Sequence, residues 1–156
     1  MDFDFSKGKL LKRDASIFKR LLAFILDLLI INIVIISPFQ KVFLKLITPQ
    51  SSILKMAEQL QGTSSLYSTM FFIVLLSLAY FTFFEFKLSQ TPGMMLFKLK
   101  VDQELSFGKA VLRNLFIIPF FPFYIFWIIE PIHLLFKQRR FLEEMTNTRT
   151  IEEVYY

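Results

Sequence analysis

Asp27 is the residue whose setting most demands a chemical explanation. It stands near the middle of IFKRLLAFILDLLIINIVII, residues 17–36, a run that is otherwise almost wholly apolar. Ionisable groups inside such runs face the interior of a helix bundle and pair with something there. A carboxyl so placed can exchange a proton or a cation. It can equally serve as a structural ion pair that fixes helix register. Arg20 lies seven residues earlier on the same helical face, about 10 Å nearer the start of the run. Its side chain leans toward the helix N-terminus, so its expected partner is Glu85, at the matching end of the next apolar run; alone, it would be a snorkelling anchor. Asp27 then needs another donor, and Arg113, Asn114 and His133 of the third apolar stretch are the candidates. Glu130 and His133 form an i, i+3 pair on one helix face, a spacing that can relay protons or hold a cation; the plainer reading is an outer-interface pair.

Other chemistry is excluded by what the chain lacks. It contains one histidine and no cysteine, so a His/Cys metal cluster and most nucleophile–base pairs cannot be assembled within it. H-E-x-x-H, G-x-S-x-G and phosphate-cradling glycine loops are absent. The expectation is a protein that is not an enzyme and uses neither cofactor nor metal.

Three hydrophobic segments position these groups. Of the 156 residues 54% are hydrophobic and 21 are phenylalanine, gathered into runs of the roughly 20 residues that a bilayer crossing needs. The first span is expected at 17–36. Asp27 costs it about 2.5–3.5 kcal/mol, which its Leu, Ile, Phe and Val residues outweigh at roughly 0.3–0.6 each. Ser37-Pro38 should end it, and Asp14 or Ser16 should cap it. Residues 1–16 read as a basic tail, and 39–47 as a helix lying along the membrane surface. Gln61 to Ser65 reads as a turn. A second span follows at 66–85. Thr91-Pro92 signals a helix start, Phe97–Val101 a short strand, Asp102–Glu104 a turn, and Ser106 another cap. The third stretch, 110–136, is interrupted by Pro119, Pro122 and Pro131. The fold class expected is an all-α integral membrane bundle with a short cytoplasmic β element, forming one domain over 1–156.

The net charge of +5 sits beside hydrophobic segments, which points to lipid headgroups and the positive-inside rule instead of nucleic acid. The loop at 38–65 is poor in Lys and Arg, placing it outside and the N-terminus in the cytoplasm. A single third crossing would strand Lys137, Arg139, Arg140 and Arg149 outside. A proline-broken, re-entrant pair of half-helices would return the tail to the cytoplasm, where Thr148–Val154 could pair with 97–101; this is the favoured alternative.

Several stretches together resemble the RDD family of membrane proteins. SIFKRLLAFILDLLI is similar to the family's opening helix, with Arg20 and Asp27 at its named arginine and first aspartate. KLSQTPGMMLFKLKV resembles its Thr-Pro-Gly segment and following strand, and LSFGKAVLRNL its next helix, including Arg113. In the tail, where the family shows an aspartate about five residues before a threonine, the chain has Glu143 before Thr148, with Glu144 beside it and Asn147 preceding the threonine. The resemblance implies a small membrane protein with a transport role. Two functions follow as expectations. One is an ion-coupled transporter-like homo-oligomer, in which Arg20, Asp27, Glu85, Arg113 and Glu143 form a polar cluster and Asp27 exchanges a proton or cation. The other is a scaffold or accessory subunit with a cytoplasmic docking face.

Overall fold

A computed structural model describes residues 10–40, 53–103 and 105–155 of the chain, with side chains from 12–40, 67–103 and 105–154. Strand β1 (Leu10–Asp14) leads into helix α1 (Ile17–Ile31). Helix α2 (Ile53–Leu88) is followed by the short helix α3 (Pro92–Leu96) and strand β2 (Leu99–Val101). Helix α4 (Phe107–Arg113) opens the third apolar stretch, which passes through two 3-10 turns, Leu115–Ile117 and Phe123–Ile125, into α5 (Phe126–Lys137). Helix α6 (Phe141–Met145) and strand β3 (Thr150–Tyr155) close the chain.

Two of these helices are long and apolar enough to cross a membrane: Ile17–Phe39, formed by α1 and its extension, and Tyr67–Leu88 within α2. Their inner stripes mix small and polar residues with apolar ones. Ala23, Asp27 and Ile31 are buried at four-residue spacing on α1, and Ser77, Phe81 and Glu85 repeat that spacing on α2. Large apolar side chains point outward instead, among them Phe18, Leu21, Leu29, Ile33, Phe71 and Phe72. That inversion of the soluble pattern suits hydrocarbon surroundings, where apolar surface needs no covering and polar groups must be satisfied within the protein.

Pro38 does not end the first helix. The chain widens to a π-helical turn at Asn32–Ile36 and tightens to a 3-10 turn at Ser37–Phe39, with proline in its first turn. The irregular turns absorb the hydrogen bond that proline cannot donate. The turn expected at 61–65 is likewise absent, because α2 runs straight through it. A lone glycine costs a helix interior only about 1 kcal/mol, which a helix of 36 residues tolerates. The surface helix expected at 39–47 falls mostly outside the described residues. Ser16 occupies the N-cap of α1, yet its side chain makes no capping bond; Asp14 belongs to β1. Thr91 and Ser106 do cap, accepting from the backbone N–H groups of Met94 (3.2 Å) and Lys109 (3.4 Å).

The sheet is three-stranded and antiparallel, in the order β1-β3-β2. The tail therefore pairs with the strand after α3, as the sequence led us to expect, with Leu99 opposite Glu152 and Val101 opposite Thr150. The basic N-terminal segment also contributes: Lys12 faces Glu153 and Arg13 faces Glu152 across the ladder. Opposite charges on facing positions favour that register. Lys12 bonds Asp102 at 2.7 Å, and Lys19 of α1 pairs with Glu152. Leu99 and Val101 turn into a small core with Ala15, Ala23, Met94, Leu105 and Ala110. The sheet thus gathers the start of α1, the end of α2 and both ends of the third apolar stretch at one end of the molecule.

Four helices stop on left-handed residues: Ser89, Lys98, Gln138 and Asn147, with φ between 52° and 58°. Only Asn147 is a residue type suited to that region. Gln138 is exposed and follows α5. Gln138→Gly is therefore expected to raise the midpoint of thermal unfolding in detergent, by an amount equivalent to roughly 0.5–1 kcal/mol.

Candidate functional site

Asp27 sits on the buried face of α1 and is 1% exposed. Opposite it, the chain leaving α2 turns sharply and presents the N-terminus of α3. Thr91 occupies the N-cap, Pro92 the first turn, and Gly93 brings its backbone against α1. Oδ2 of Asp27 accepts from the Thr91 hydroxyl at 2.5 Å. Oδ1 accepts from Gly93 N–H at 2.8 Å and from the Tyr80 hydroxyl at 2.9 Å. Thr91 both donates to Asp27 and accepts from Met94, so one hydroxyl ties the carboxylate to the helix start. The donors expected for Asp27 (Arg113, Asn114 and His133) all go elsewhere. Arg113 and Asn114 donate to Glu85 and His133 to the Arg139 carbonyl, while the Tyr80 and Thr91 hydroxyls and the Gly93 N–H occupy the oxygens of Asp27.

One level toward the sheet, the arginines and glutamates interlock, but the partners differ from those expected. Arg20 does not meet Glu85. Its Nη1 donates to Glu143 at 2.9 Å, its Nε to the Ala15 carbonyl at 3.1 Å and its Nη2 to the Thr150 carbonyl at 2.8 Å. The bend from β1 into α1 and the paired strand β3 bring those carbonyls under the helix. Glu85 takes Arg113 instead, with Nε at 3.1 Å, and accepts from Asn114 Nδ2 at 3.0 Å. Asn114 also donates to the Ala110 carbonyl, which holds its amide in place. Arg113 is wholly buried and reaches further, donating to the Thr148 hydroxyl from Nη1 and lying 3.4 Å from Glu143 Oε1 through Nη2.

Glu143 is the hub of this lattice. It receives Arg20, Arg113, the Thr150 hydroxyl (2.5 Å) and the backbone N–H of Arg140 (3.3 Å), with the Arg140 Nε also 3.4 Å away. Burial works to raise its carboxyl, but Arg140, Arg113, Arg20 and the Thr150 hydroxyl outweigh that and pull it down to about 2. A depressed folded value means that stability is present above the unfolded value and is lost as pH falls through the folded one. The contribution of Glu143 is thus expected to fade between about pH 4.5 and about pH 2. Acid unfolding followed by circular dichroism checks this: Glu143→Gln should be less stable at neutral pH and should flatten the slope over that range.

Glu130 and His133 do not form the relay pair that their spacing allowed. Glu130 is buried and turns toward α6, accepting the Leu142 N–H at 3.0 Å, while its Oε2 has no partner among the described residues. His133 donates from Nδ1 to the Arg139 carbonyl and sets Nε2 2.8 Å from Glu144. Both act within the turn joining α5 to α6. Tyr80, Gly93, Arg140 and Thr150 are site residues that the sequence reading passed over. The signal for Tyr80 was modest: it is a phenol in an otherwise apolar stretch of α2. Among the described residues no group of His, Cys, Asp or Glu could hold a metal ion.

The RDD family model matches residues 14–143, which carry this arrangement except Glu144, Thr148, and the final strand with Thr150. The chain belongs to the RDD family. It matches no curated protein and no solved structure. With two membrane-length apolar helices and this family assignment, the chain is a membrane protein, and its lipid-facing residues follow the inverted burial pattern described above.

Proposed function

We propose that this RDD protein is a small ion-coupled, transporter-like protein in which Asp27 exchanges a proton or a cation, while the Arg20–Glu143–Arg113–Glu85 lattice holds the spans to the sheet. The observation that carries this reading is the contrast between Asp27 and the two acids of the lattice; Glu130, the other buried acid without an arginine partner, is tied to the Leu142 N–H in the turn to α6. Glu85 and Glu143 are each paired with arginine. Among the described residues, the donors to Asp27 are all uncharged. A carboxylate without a counter-charge at membrane depth is costly, and binding a proton or cation removes that cost. The two hydroxyls around it can turn from donors into acceptors or ligands when that happens.

In this reading the protein is multi-pass and lies in the cell membrane, with both termini cytoplasmic. The pairing of β1 with β3 supports a common side for the two ends, and the return of the third stretch to the sheet supports a re-entrant path. So few helices enclose a pathway only by association, so the working unit is a homo-oligomer, and no catalytic step is involved. Proton or cation flux in proteoliposomes tests the proposal. Asp27→Asn is expected to lower flux at least tenfold, equivalent to about 1.4 kcal/mol or more; equal flux in both proteins would remove Asp27 from the mechanism.

One observation favours the scaffold reading instead. Two clefts, one beside Tyr67 and Phe120 and one between α2 and α4, are not lined by Asp27. A scaffold predicts no flux from either protein, a lower unfolding midpoint for Asp27→Asn, and partner binding that needs residues 150–155.

A further inference from the structure

The second of those clefts is built in layers. It runs along α2 against α4 as an open trough with a volume of about 450 Å³. Its floor is apolar, from Leu75 through Ala79 to Phe86, Phe107 and Val111. Phe86 and Phe107 meet edge to face at 5.8 Å near one end. Thr82 also lines it and is 3% exposed; among the described residues its hydroxyl has no hydrogen-bond partner, and it meets a ligand only after its side chain turns about χ1. A threonine on a helix ordinarily bonds a carbonyl of the preceding turn. A buried hydroxyl left unmet is unfavourable, so a ligand offering an acceptor at that point would be favoured. Lys87 closes the cleft at the sheet end. It is exposed, lies 5.3 Å from the Phe86 ring centre, and makes no ion pair among the described residues. Five residues separate Thr82 from Lys87, about 7.5 Å along the helix axis.

We infer that this cleft between α2 and α4 is a binding site for one anionic glycerophospholipid, with its phosphate at Lys87, an ester carbonyl at the Thr82 hydroxyl and an acyl chain along Leu75, Ala79 and Val111. The three layers of the cleft (cation, lone hydroxyl donor, apolar trough) follow the order of phosphate, ester and hydrocarbon in such a lipid. A second copy of this chain would bring an apolar helix face, which supplies neither the anion nor the acceptor. Lys100 of β2 and Lys98 just before it, which form no ion pair among the described residues, add to the attraction for a negative headgroup. The inference is independent of any exchange at Asp27.

The test uses the full chain in neutral detergent, titrated with phosphatidylglycerol or phosphatidylcholine carrying identical acyl chains, and with inorganic phosphate alone. Native mass spectrometry counts bound lipid, and the unfolding midpoint reports its affinity. The wild type is expected to bind one phosphatidylglycerol about fivefold more tightly than phosphatidylcholine, the effect of one basic residue at a surface, and to ignore phosphate. Lys87→Gln should abolish that preference while phosphatidylcholine still binds. Thr82→Val should weaken both lipids severalfold without lowering the lipid-free midpoint. If Thr82→Val does not fold, Ala79→Leu narrows the trough and should exclude both lipids. Equal binding of the two lipids by the wild type would overturn the proposal, as would unchanged affinity in Thr82→Val. So would a disulfide formed between two copies of Ala79→Cys, since the chain has no native cysteine and that bond would place a second copy in the cleft.

Discussion

Gly93→Ala is expected to be among the most damaging single changes in the chain, although it adds one methyl group. A Cβ at this position would lie 2.1 Å from the backbone carbonyl oxygen of Ala23 and 2.8 Å from the carboxyl of Asp27. Neither distance is tolerable, and the first obstacle is backbone, which cannot swing aside. The N-terminus of α3 would have to back away from α1 by about 1 Å, given normal contacts near 3.5 Å or slightly below. That movement breaks the Gly93 N–H bond to Asp27 and draws the Thr91 hydroxyl away with it. Each is a bond to a charged acceptor, worth about 1.5–3 kcal/mol, so the expected loss is on the order of 3–6 kcal/mol against a typical total of 5–15. Thermal unfolding in detergent measures it. Ala23→Gly should give no rescue, because the clash is with the carbonyl and not the methyl. A Gly93→Ala protein within 1 kcal/mol of wild type would mean that the two helices do not approach this closely.

The same contact shows where sequence reasoning succeeds and where it stops. Asp27 announced itself as a carboxylate in a hydrophobic run, and Thr91-Pro92 announced a helix start. Each was legible by itself because each obeys a local rule. Their meeting was not, since it joins residues 64 positions apart and is fixed by how tightly one glycine lets two backbones pack. The partner exchange among the arginines has the same cause. Depth along the helix axis was the ground for pairing Arg20 with Glu85, but depth does not give rotation about the axis. The face of α1 that carries Arg20 turns toward α6 and the carbonyls of Ala15 and Thr150, while Glu85 turns toward α4. The strand β1 was missed because five mixed residues carry no clean alternation, and their pairing is dictated by β3 at the other end of the chain. The break at Pro119 and Pro122, by contrast, was readable, because those prolines act on their own immediate backbone; Pro131, expected to interrupt the stretch as well, lies inside α5 without ending it.

Arg113 is where those non-local contacts converge, and its removal is the second large expected effect. The residue is 0% exposed and lies against Glu85, Glu143, Thr148 and Thr150. Arg113→Ala would leave Glu85 buried with only the Asn114 amide, and would strip one of three guanidinium groups from Glu143. Breaking a buried ion pair on one side costs about 3–5 kcal/mol, because the remaining charge keeps its desolvation penalty and loses its compensation. Lysine should recover less than half of the loss: a single ammonium cannot reproduce the fork that spans two carboxylates. The informative control is Arg113→Met with Glu85→Leu, which removes the arginine and its nearest carboxylate together. Replacing a whole buried pair by apolar groups of similar volume is often neutral, and Glu143 still holds Arg20 and Arg140. The double variant is therefore expected to be more stable than Arg113→Ala by about 2 kcal/mol or more, read from unfolding midpoints in the same detergent. If the double variant is instead no better than the single one, the cost of losing Arg113 lies with Glu143 and the two threonines, and α6 with β3 would be the elements that the arginine secures.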